Sequence, residues 1–336
     1  RWVTHFCVPA FVFLAGTSAF LYGQKINNNS ALAKFLFTRG LLLVLFELTL
    51  IRFCWTFNLD YAAFTLAGVI WMLGFCMVLM SVIIRLPLRA IWITGLAIIF
   101  LQQLFAKAPN LLPQSWRFHF GWFWEFIYSS DLDGPPGIHI LYVIVPWIGV
   151  MMAGYGFGYL FKMDPLARRK ICLRMGLAAI SLFFIVGGLM NALNHENKNE
   201  LPFIFRLLGQ QKYPPSQLYL LMTLGPIIAL VPFAEKAKGW FANALIVFGR
   251  VPLFYYLLHI PLIHVAALVL NFIREGNAHQ DWYNTAPYSQ VPEEHKWGLP
   301  LLYLVFVIVE VVLFLICRWY AGFKSSHPEN KWLKYI

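Results

Sequence analysis

Residues 249–264 read GRVPLFYYLLHIPLIH, a run that places histidines inside an otherwise apolar, membrane-type segment. Proline suits the first turn of a helix, where its missing N–H would have no partner, so Pro252 predicts that a helix begins near Val251. At about 1.5 Å per residue, His259 then lies roughly 12 Å along that helix, towards the middle of a hydrocarbon layer about 30 Å thick. Because ionisable residues at that depth are costly, they indicate function, and His259 is our first candidate.

The residues around His259 favour a polar site within the helix. Pro261 cannot donate to the carbonyl four residues earlier, so it leaves an acceptor beside the histidine and allows a kink. Tyr255 and Tyr256 lie one turn before His259, on or near its face, whereas His264 is five residues on and points away. We therefore do not expect His259 and His264 to share one ligand. The alternative is that His259 only hydrogen-bonds a neighbouring helix.

The composition indicates a membrane protein. Of the 336 residues, 60% are hydrophobic, 18% aromatic and only 12% charged, which is too apolar for a soluble domain. Apolar runs extend from end to end without a long polar insert, so residues 1–336 are predicted to form one membrane-embedded domain. The net charge of +11 comes from basic residues between the apolar runs, where they set orientation, and no nucleic-acid partner is implied.

The expected fold is all-α, a polytopic helical bundle. Nine apolar runs have the length of transmembrane spans. They lie at about 6–23, 36–57, 61–84, 88–106, 138–161, 174–193, 217–234, 251–272 and 299–317.

Basic residues predict the orientation of this bundle. They follow the first, third, fifth, seventh and ninth runs, and the positive-inside rule makes that side cytoplasmic. The C-terminus is then cytoplasmic and Arg1 lies outside. Since Arg1 is neither an initiator methionine nor part of a signal peptide, we expect a tenth helix upstream.

An outer loop at 107–137 carries Trp116, Trp122 and Trp124 before the turn-forming residues 131–137. This pattern favours an aromatic belt at the membrane interface, and the alternative is a platform on which a sugar ring stacks.

Few ionisable residues lie within the spans. Glu47 and Glu310 need partners from other helices, and they are candidates for a polar core. Arg52 is five residues from Glu47, so the two do not share a face, and Arg52 is expected to extend towards the membrane surface. The five cysteines lack paired spacing, which argues against zinc, iron–sulfur clusters or disulfides, and no metal site is predicted. They are Cys7, Cys54, Cys76, Cys172 and Cys317.

Three stretches carry a family resemblance: RWVTHFCVPAFVFLAGTS at 1–18, KYPPS at 212–216 and GRVPLFYYLLH at 249–259. Together they resemble the bacterial branch of the heparan-α-glucosaminide N-acetyltransferase catalytic-domain family, and the resemblance extends over essentially the whole chain. It implies an integral-membrane enzyme that moves an acyl group, with acetyl expected, from acyl-CoA to an extracytoplasmic carbohydrate or other envelope acceptor. A bacterial inner-membrane location follows. The family usually has an acid–histidine pair upstream of the position that matches Arg1.

The same resemblance implies places for several residues. His259 lines the core, His5 sits at the outer mouth beside Pro9, and residues of the KYPPS motif border the cavity. The resulting candidates are catalytic His259 and His5, the substrate- or CoA-binding Lys212, Tyr213, Ser216, Arg250, Tyr255 and Tyr256, and the polar-core Glu47 and Glu310.

Such residues suit acyl transfer. A neutral histidine could accept the proton of an attacking amine or hydroxyl, or carry the acyl group itself. Lys212 or Arg250 could hold CoA phosphates, from the outer or the cytoplasmic side respectively. Acetyl-CoA or another acyl-CoA is a co-substrate, and no bound cofactor is expected. The partners are acyl-CoA, the envelope acceptor and the lipid bilayer, and the oligomeric state stays open.

Two other functions compete with this one. A proton-coupled transporter or flippase would use Glu47, His259 and Glu310 as a relay, although no internal repeat is visible and the outer loops are long. A structural scaffold would predict no convergence of polar residues.

Overall fold

The computed structural model describes residues 3–129, 137–193, 202–285, 290–330, 332, 333 and 335. The described residues are mostly helical, which confirms the all-α class of an integral membrane protein. The first helices are α1 (Cys7–Ile26), α2 (Asn29–Phe46), α3 (Arg52–Thr56), α4 (Val69–Ile83), α5 (Leu88–Leu101), α6 (Gln103–Lys107), α7 (Gln114–Ile127) and α8 (Trp147–Phe157). They are followed by α9 (Pro165–Leu182), α10 (Gly188–Leu193), α11 (Phe203–Leu208), α12 (Gln217–Ala234), α13 (Trp240–Arg250), α14 (Pro252–Glu275) and α15 (Leu299–Ser326). Two short strands, β1 (Thr65–Ala67) and β2 (Ile138–Ile140), pair with each other.

Helix length decides which elements can cross a membrane. Within the described residues, α1, Pro165–Leu193, α12, α14 and α15 are long and apolar enough, and α5 becomes a sixth span if it is joined to the helix after its 57° bend. The predicted count of nine spans stays a prediction.

Two of the predicted spans contain less helix than expected. The runs at 61–84 and 138–161 begin with strands, and their helices α4 and α8 have 15 and 11 residues. The reason is a non-local pairing: the N–H groups of Leu141 and Tyr142 lie 3.2 and 3.3 Å from the carbonyl oxygen of Ala67. Such pairing holds these residues in an extended conformation, which hydropathy cannot reveal.

The described residues form two compact units. The first comprises the described residues within 1–44 and 67–236, and the second comprises those within 45–66 and 237–336. The prediction of a single domain is not tested by this division.

In the first unit, α1 packs closely against α8. Thr17 Oγ1 donates to the carbonyl oxygen of Gly154 at 2.9 Å, which joins the two helix backbones. A Cβ atom at Gly154 would lie only 2.0 Å from the carbonyl oxygen of Phe13. Glycine is therefore required at this crossing, as small residues are at many membrane helix contacts.

In the second unit, Arg52 organises the chain after α3. Its side chain is only 1% exposed, so the expected extension towards the membrane surface is wrong. Arg52 Nε donates to the carbonyl oxygen of Phe64 at 2.9 Å, and its other nitrogens donate to the carbonyl oxygens of Asn58 and Asp60. The guanidinium also lies over the ring of Tyr61 at 4.4 Å. The buried Arg52 guanidinium thus donates its hydrogen bonds to backbone carbonyls of the segment that follows α3.

The loop after α14 folds back onto that helix. Glu275 Oε2 lies 3.0 Å from His279 Nε2, and Glu275 Oε1 lies 2.9 Å from His295 Nδ1. Trp282 stacks on the His279 ring at a centroid distance of 4.0 Å. The Glu275 carboxylate at the end of α14 therefore contacts residues near both ends of the loop.

The tryptophan-rich segment, which was predicted to be an outer loop, forms a helix, since α7 contains Trp116, Trp122 and Trp124. Trp124 Nε1 donates to the carbonyl oxygen of Phe105 at 3.0 Å, whereas Trp116 and Trp122 are exposed. The turn predicted after this helix falls mostly on residues 130–136, which lie outside the described residues, as does Arg1.

Candidate functional site

The KYPPS motif forms a tight turn at the start of α12 in the first unit. Ser216 Oγ accepts a hydrogen bond from the N–H of Tyr219 at 3.0 Å and so caps the helix. The N–H of Ser216 donates to the carbonyl oxygen of Gln211 at 3.0 Å, and Lys212 and Pro215 form an antiparallel bridge. The turn places Lys212 beside the start of α12. The Ser216 hydroxyl is used to cap that helix.

His5 lies against the same end of α12. The hydroxyl of Tyr219, whose side chain is fully buried, donates to the backbone carbonyl of His5 at 2.7 Å, and the two rings meet edge to face at 5.5 Å. His5 Nδ1 is buried and has no hydrogen-bond partner among the described residues. Desolvation lowers the pKa of His5, and the charge of Lys212 lowers it further. His5 is therefore held in its neutral, basic form.

Tyr142 belongs to this group, although the sequence did not indicate it. The hydroxyl oxygens of Tyr142 and Tyr213 are 3.2 Å apart, and their rings meet at 5.1 Å with an interplanar angle of 83°. The Lys212 ammonium lies 5.1 Å from the centroid of the Tyr213 ring. We name His5, Tyr142, Lys212 and Tyr213 the α12 cluster. It combines a cation, two hydroxyls and an imidazole.

His259 lies in α14 of the second unit and is partly buried. Its Nδ1 atom is 2.7 Å from the carbonyl oxygen of Tyr256, and because a carbonyl can only accept, Nδ1 carries the proton. In the neutral ring, Nε2 then has the lone pair. The acceptor of this bond is the carbonyl of Tyr256, three residues before His259. It is not the carbonyl of Leu257, which Pro261 leaves without an N–H donor. The helix itself thus fixes the tautomer that a general base requires.

Both predicted tyrosines surround this imidazole. The Tyr255 ring is nearly parallel to that of His259, at 5.5 Å and 9°, and the Tyr256 ring is 5.0 Å away. The Tyr255 hydroxyl donates to Glu310 Oε1 at 2.7 Å, which connects α14 to α15. Glu47 is buried in the same unit. Tyr255 therefore joins the histidine to a carboxylate within one unit.

His264 has a different environment from His259. It is only 4% exposed, Nδ1 lies 2.9 Å from the carbonyl oxygen of Cys54, and its ring stacks on Phe57 at 3.9 Å. These contacts connect α14 to α3. His264 therefore packs against another helix and does not share the surroundings of His259, in agreement with the expectation that the two histidines do not share one ligand.

The predicted residues thus form two groups, one in each unit. His5, Lys212, Tyr213 and Ser216 meet in the first, and Tyr255, Tyr256, His259 and Glu310 meet in the second, where Arg250 ends α13 with an exposed side chain. Across the described ranges, no group of three or more His, Cys, Asp or Glu side chains could hold a metal ion.

Comparison with known families identifies the chain. The sequence model of the family described as "Heparan-alpha-glucosaminide N-acetyltransferase, catalytic" matches residues 1–188, more than half of the 336 residues. The matched region includes His5 and Tyr142 but ends before Lys212 and His259. No curated protein was found to match. The chain therefore belongs to the heparan-alpha-glucosaminide N-acetyltransferase catalytic family and is an integral-membrane, acetyltransferase-like protein.

Proposed function

We propose that the protein transfers an acetyl group from acetyl-CoA to an amine or hydroxyl of a carbohydrate or other envelope acceptor outside the cytoplasm. We place it in the bacterial inner membrane with a cytoplasmic C-terminus. The family match over residues 1–188 carries this proposal, because the family's activity is acetyl transfer. Acetyl-CoA acts as a co-substrate, and no resident cofactor is needed.

His259 is the proposed general base. Its Nε2 lone pair takes the proton of the attacking amine or hydroxyl as the new bond to the acetyl carbon forms. The thioester C–S bond breaks, and the CoA thiolate leaves and takes up a proton. The hydrogen bond from Nδ1 to Tyr256 and the stacked Tyr255 ring keep the imidazole oriented during this step.

The α12 cluster is the proposed binding group of the first unit. Lys212 contacts no carboxylate among the described residues, so its charge is available for a phosphate of CoA. Tyr142 and Tyr213 supply hydroxyls beside it. Arg250 is the alternative cation for CoA on the cytoplasmic side. His5 is the second catalytic candidate, since it is neutral and lies within the region matched by the family.

We expect Lys212→Gln to move the acidic limb of the pH profile of kcat/KM to higher pH. The Lys212 charge lowers the pKa of His5, so its removal lets His5 bind a proton more readily. A reaction that needs neutral His5 then fails at a higher pH than in the wild type. Lys212→Arg keeps the charge and should keep the limb in place. If the acidic limb of the kcat/KM profile is unchanged in His5→Gln, the limb belongs to the titration of another group.

The same pKa shift predicts a change in stability. Because the pKa of His5 is lower in the folded than in the unfolded chain, the unfolded chain binds more protons below about pH 6.5. The free energy of unfolding should therefore fall as the pH drops through this range, and less so in His5→Gln. Thermal unfolding of both proteins across that range measures the difference. Identical pH dependence would remove His5 as its cause.

The function is tested by release of the CoA thiol. Purified full-length chain is incubated with acetyl-CoA and a panel of amino sugars and neutral sugars, and the free thiol is measured. We expect release that depends on an acceptor. Acceptor-independent ion movement in proteoliposomes, without any thiol release, would support the transporter instead.

Topology is tested by cysteine labelling in a background without the exposed Cys7. Labels at positions near 125 and 280 should react from outside, and those near 168 and 330 should be protected. The reverse pattern would contradict the proposed orientation.

A further inference from the structure

Helix α13 has a surface that the acetyl-transfer proposal does not use. Its 11 residues extend about 16 Å, too short to cross a hydrocarbon layer of about 30 Å. Val247 and Phe248 pack on a cluster that contains Val251, Cys317 and Tyr320. Phe241, Leu245 and Ile246 of the same helix are 62, 55 and 46% exposed. A short helix that exposes apolar side chains and also carries polar ones, here Asn243 and Arg250, is expected to lie in a membrane interface.

Helix α15 sets the depth of α13. The apolar run that opens α15 ends at Cys317 after 19 residues, about 28 Å, which matches the thickness of the hydrocarbon layer. Arg318 follows directly and therefore lies at the boundary. Since Val247 and Phe248 pack beside Cys317 and Tyr320, α13 lies at the same boundary.

This boundary carries cations without matching carboxylates. Lys238 and Arg250 flank α13, and Arg318 lies at the boundary in α15. Residues 236–274 and 311–328 contain no Asp or Glu. Among the described residues, none of these three cations takes part in an ion pair. The surface therefore has an uncompensated positive charge.

Aromatic side chains accompany the cations. Trp240 and Trp319 are among the exposed large side chains, and a shallow groove is lined by Leu315, Arg318, Trp319, Gly322 and Phe323. Tryptophan at the level of the headgroups is typical of the membrane–water interface. The groove offers an apolar wall for an acyl chain next to the Arg318 guanidinium.

We propose that α13 and the end of α15 form a binding surface for the headgroups of anionic phospholipids in the adjacent leaflet. The exposed side chains of Phe241, Leu245 and Ile246 contact acyl chains, and Lys238 and Arg318 contact lipid phosphates. Neither Lys238 nor Arg318 belongs to either group of candidate catalytic residues. Arg250 is left for the CoA site proposed above.

Lipid binding by the full chain tests the proposal. We compare nanodiscs of phosphatidylcholine with nanodiscs that also contain phosphatidylglycerol, and we measure the thermal midpoint together with the phosphatidylglycerol retained on purification. The wild type should retain phosphatidylglycerol and unfold at a higher temperature in its presence. Lys238→Gln with Arg318→Gln should weaken retention by about fivefold for each cation removed. In nanodiscs of phosphatidylcholine alone, the thermal midpoint of this double variant should equal that of the wild type.

The control is Arg85→Gln with Arg89→Gln, two exposed cations before and within α5 that lie on the same predicted side. Equal loss in this variant would mean a general charge effect and would overturn the proposal. Unchanged lipid retention together with a weaker affinity for free CoA would assign the surface to CoA instead.

Spin labels test the placement of α13. In a Cys7→Ser background, a label at Phe241→Cys should be accessible to oxygen dissolved in the bilayer, and a label at the matched position Asn243→Cys should be less so. A label at 241 that meets only water-soluble relaxing agents would contradict an interfacial helix.

Discussion

His259→Ala is expected to lower acetyl transfer by about 10²- to 10⁴-fold, the range that general-base catalysis typically supplies. The folded protein should survive, because Nδ1 of His259 bonds to a carbonyl of its own helix and the ring is only partly buried. Removal of the ring therefore disconnects no other helix by hydrogen bonding. The measurement pairs kcat with the thermal midpoint of the same purified preparation.

His264→Ala is the matched control and should show the opposite pattern. The variant loses a buried ring, its stacking on Phe57 and its hydrogen bond to Cys54, which together cost about 2–4 kcal/mol of unfolding free energy. The activity per folded molecule should stay close to that of the wild type. If His259→Ala instead loses stability and keeps its specific activity, His259 is a packing residue.

Gly154→Ala is expected to disrupt the first unit. The added Cβ would lie 2.0 Å from the backbone oxygen of Phe13, and a backbone atom cannot move without separating α1 from α8. The bond from Thr17 to the Gly154 carbonyl would be lost with that separation. We expect a loss of about 3 kcal/mol, the upper end of the usual range for overpacking, because the obstructing atom belongs to the backbone; thermal unfolding of the protein in detergent measures it.

Gly188→Ala serves as the control for this change. No atom lies within 4 Å of a Cβ at Gly188, which begins α10. Alanine should leave stability unchanged or raise it by up to about 1 kcal/mol through helix propensity. Similar midpoints for the two variants would show that α1 and α8 do not cross as closely as described.

The sequence predicted the elements whose signal is local. Residues 217–234 coincide with α12, and Pro252 begins α14 as expected, because hydropathy, length and first-turn proline are properties of one segment. The pairing through Ala67 was not predictable, since it depends on residues 74 or more positions apart. Arg52 was mispredicted for a different reason: its acceptors are only 6, 8 and 12 residues away, but they contact it through the path of the following turn, which hydropathy does not reveal. Helix α13 escaped notice because it is too short to span.

In the candidate site, too, local contacts could be predicted and long-range contacts could not. Tyr255, Tyr256 and His259 share a face because residues three and four apart on a helix are neighbours. The contact between Tyr142 and Tyr213 joins residues 71 apart, and the bond from Tyr255 to Glu310 joins residues 55 apart. No spacing in a single sequence indicates such partners, so Glu310 could be predicted to need a partner but not to have Tyr255.

The central claim is that the acetyl group itself moves from CoA to an acceptor. The most direct test supplies the purified full chain with acetyl-CoA labelled with ¹³C in the acetyl group, together with the acceptor that supports thiol release, and examines the acceptor by mass spectrometry. We predict labelled acetyl on an amine or hydroxyl with the wild type, and about 10²- to 10⁴-fold less with His259→Ala. Thiol release without labelled acceptor, or equal labelling by both proteins, would contradict the proposed transfer and the role of His259.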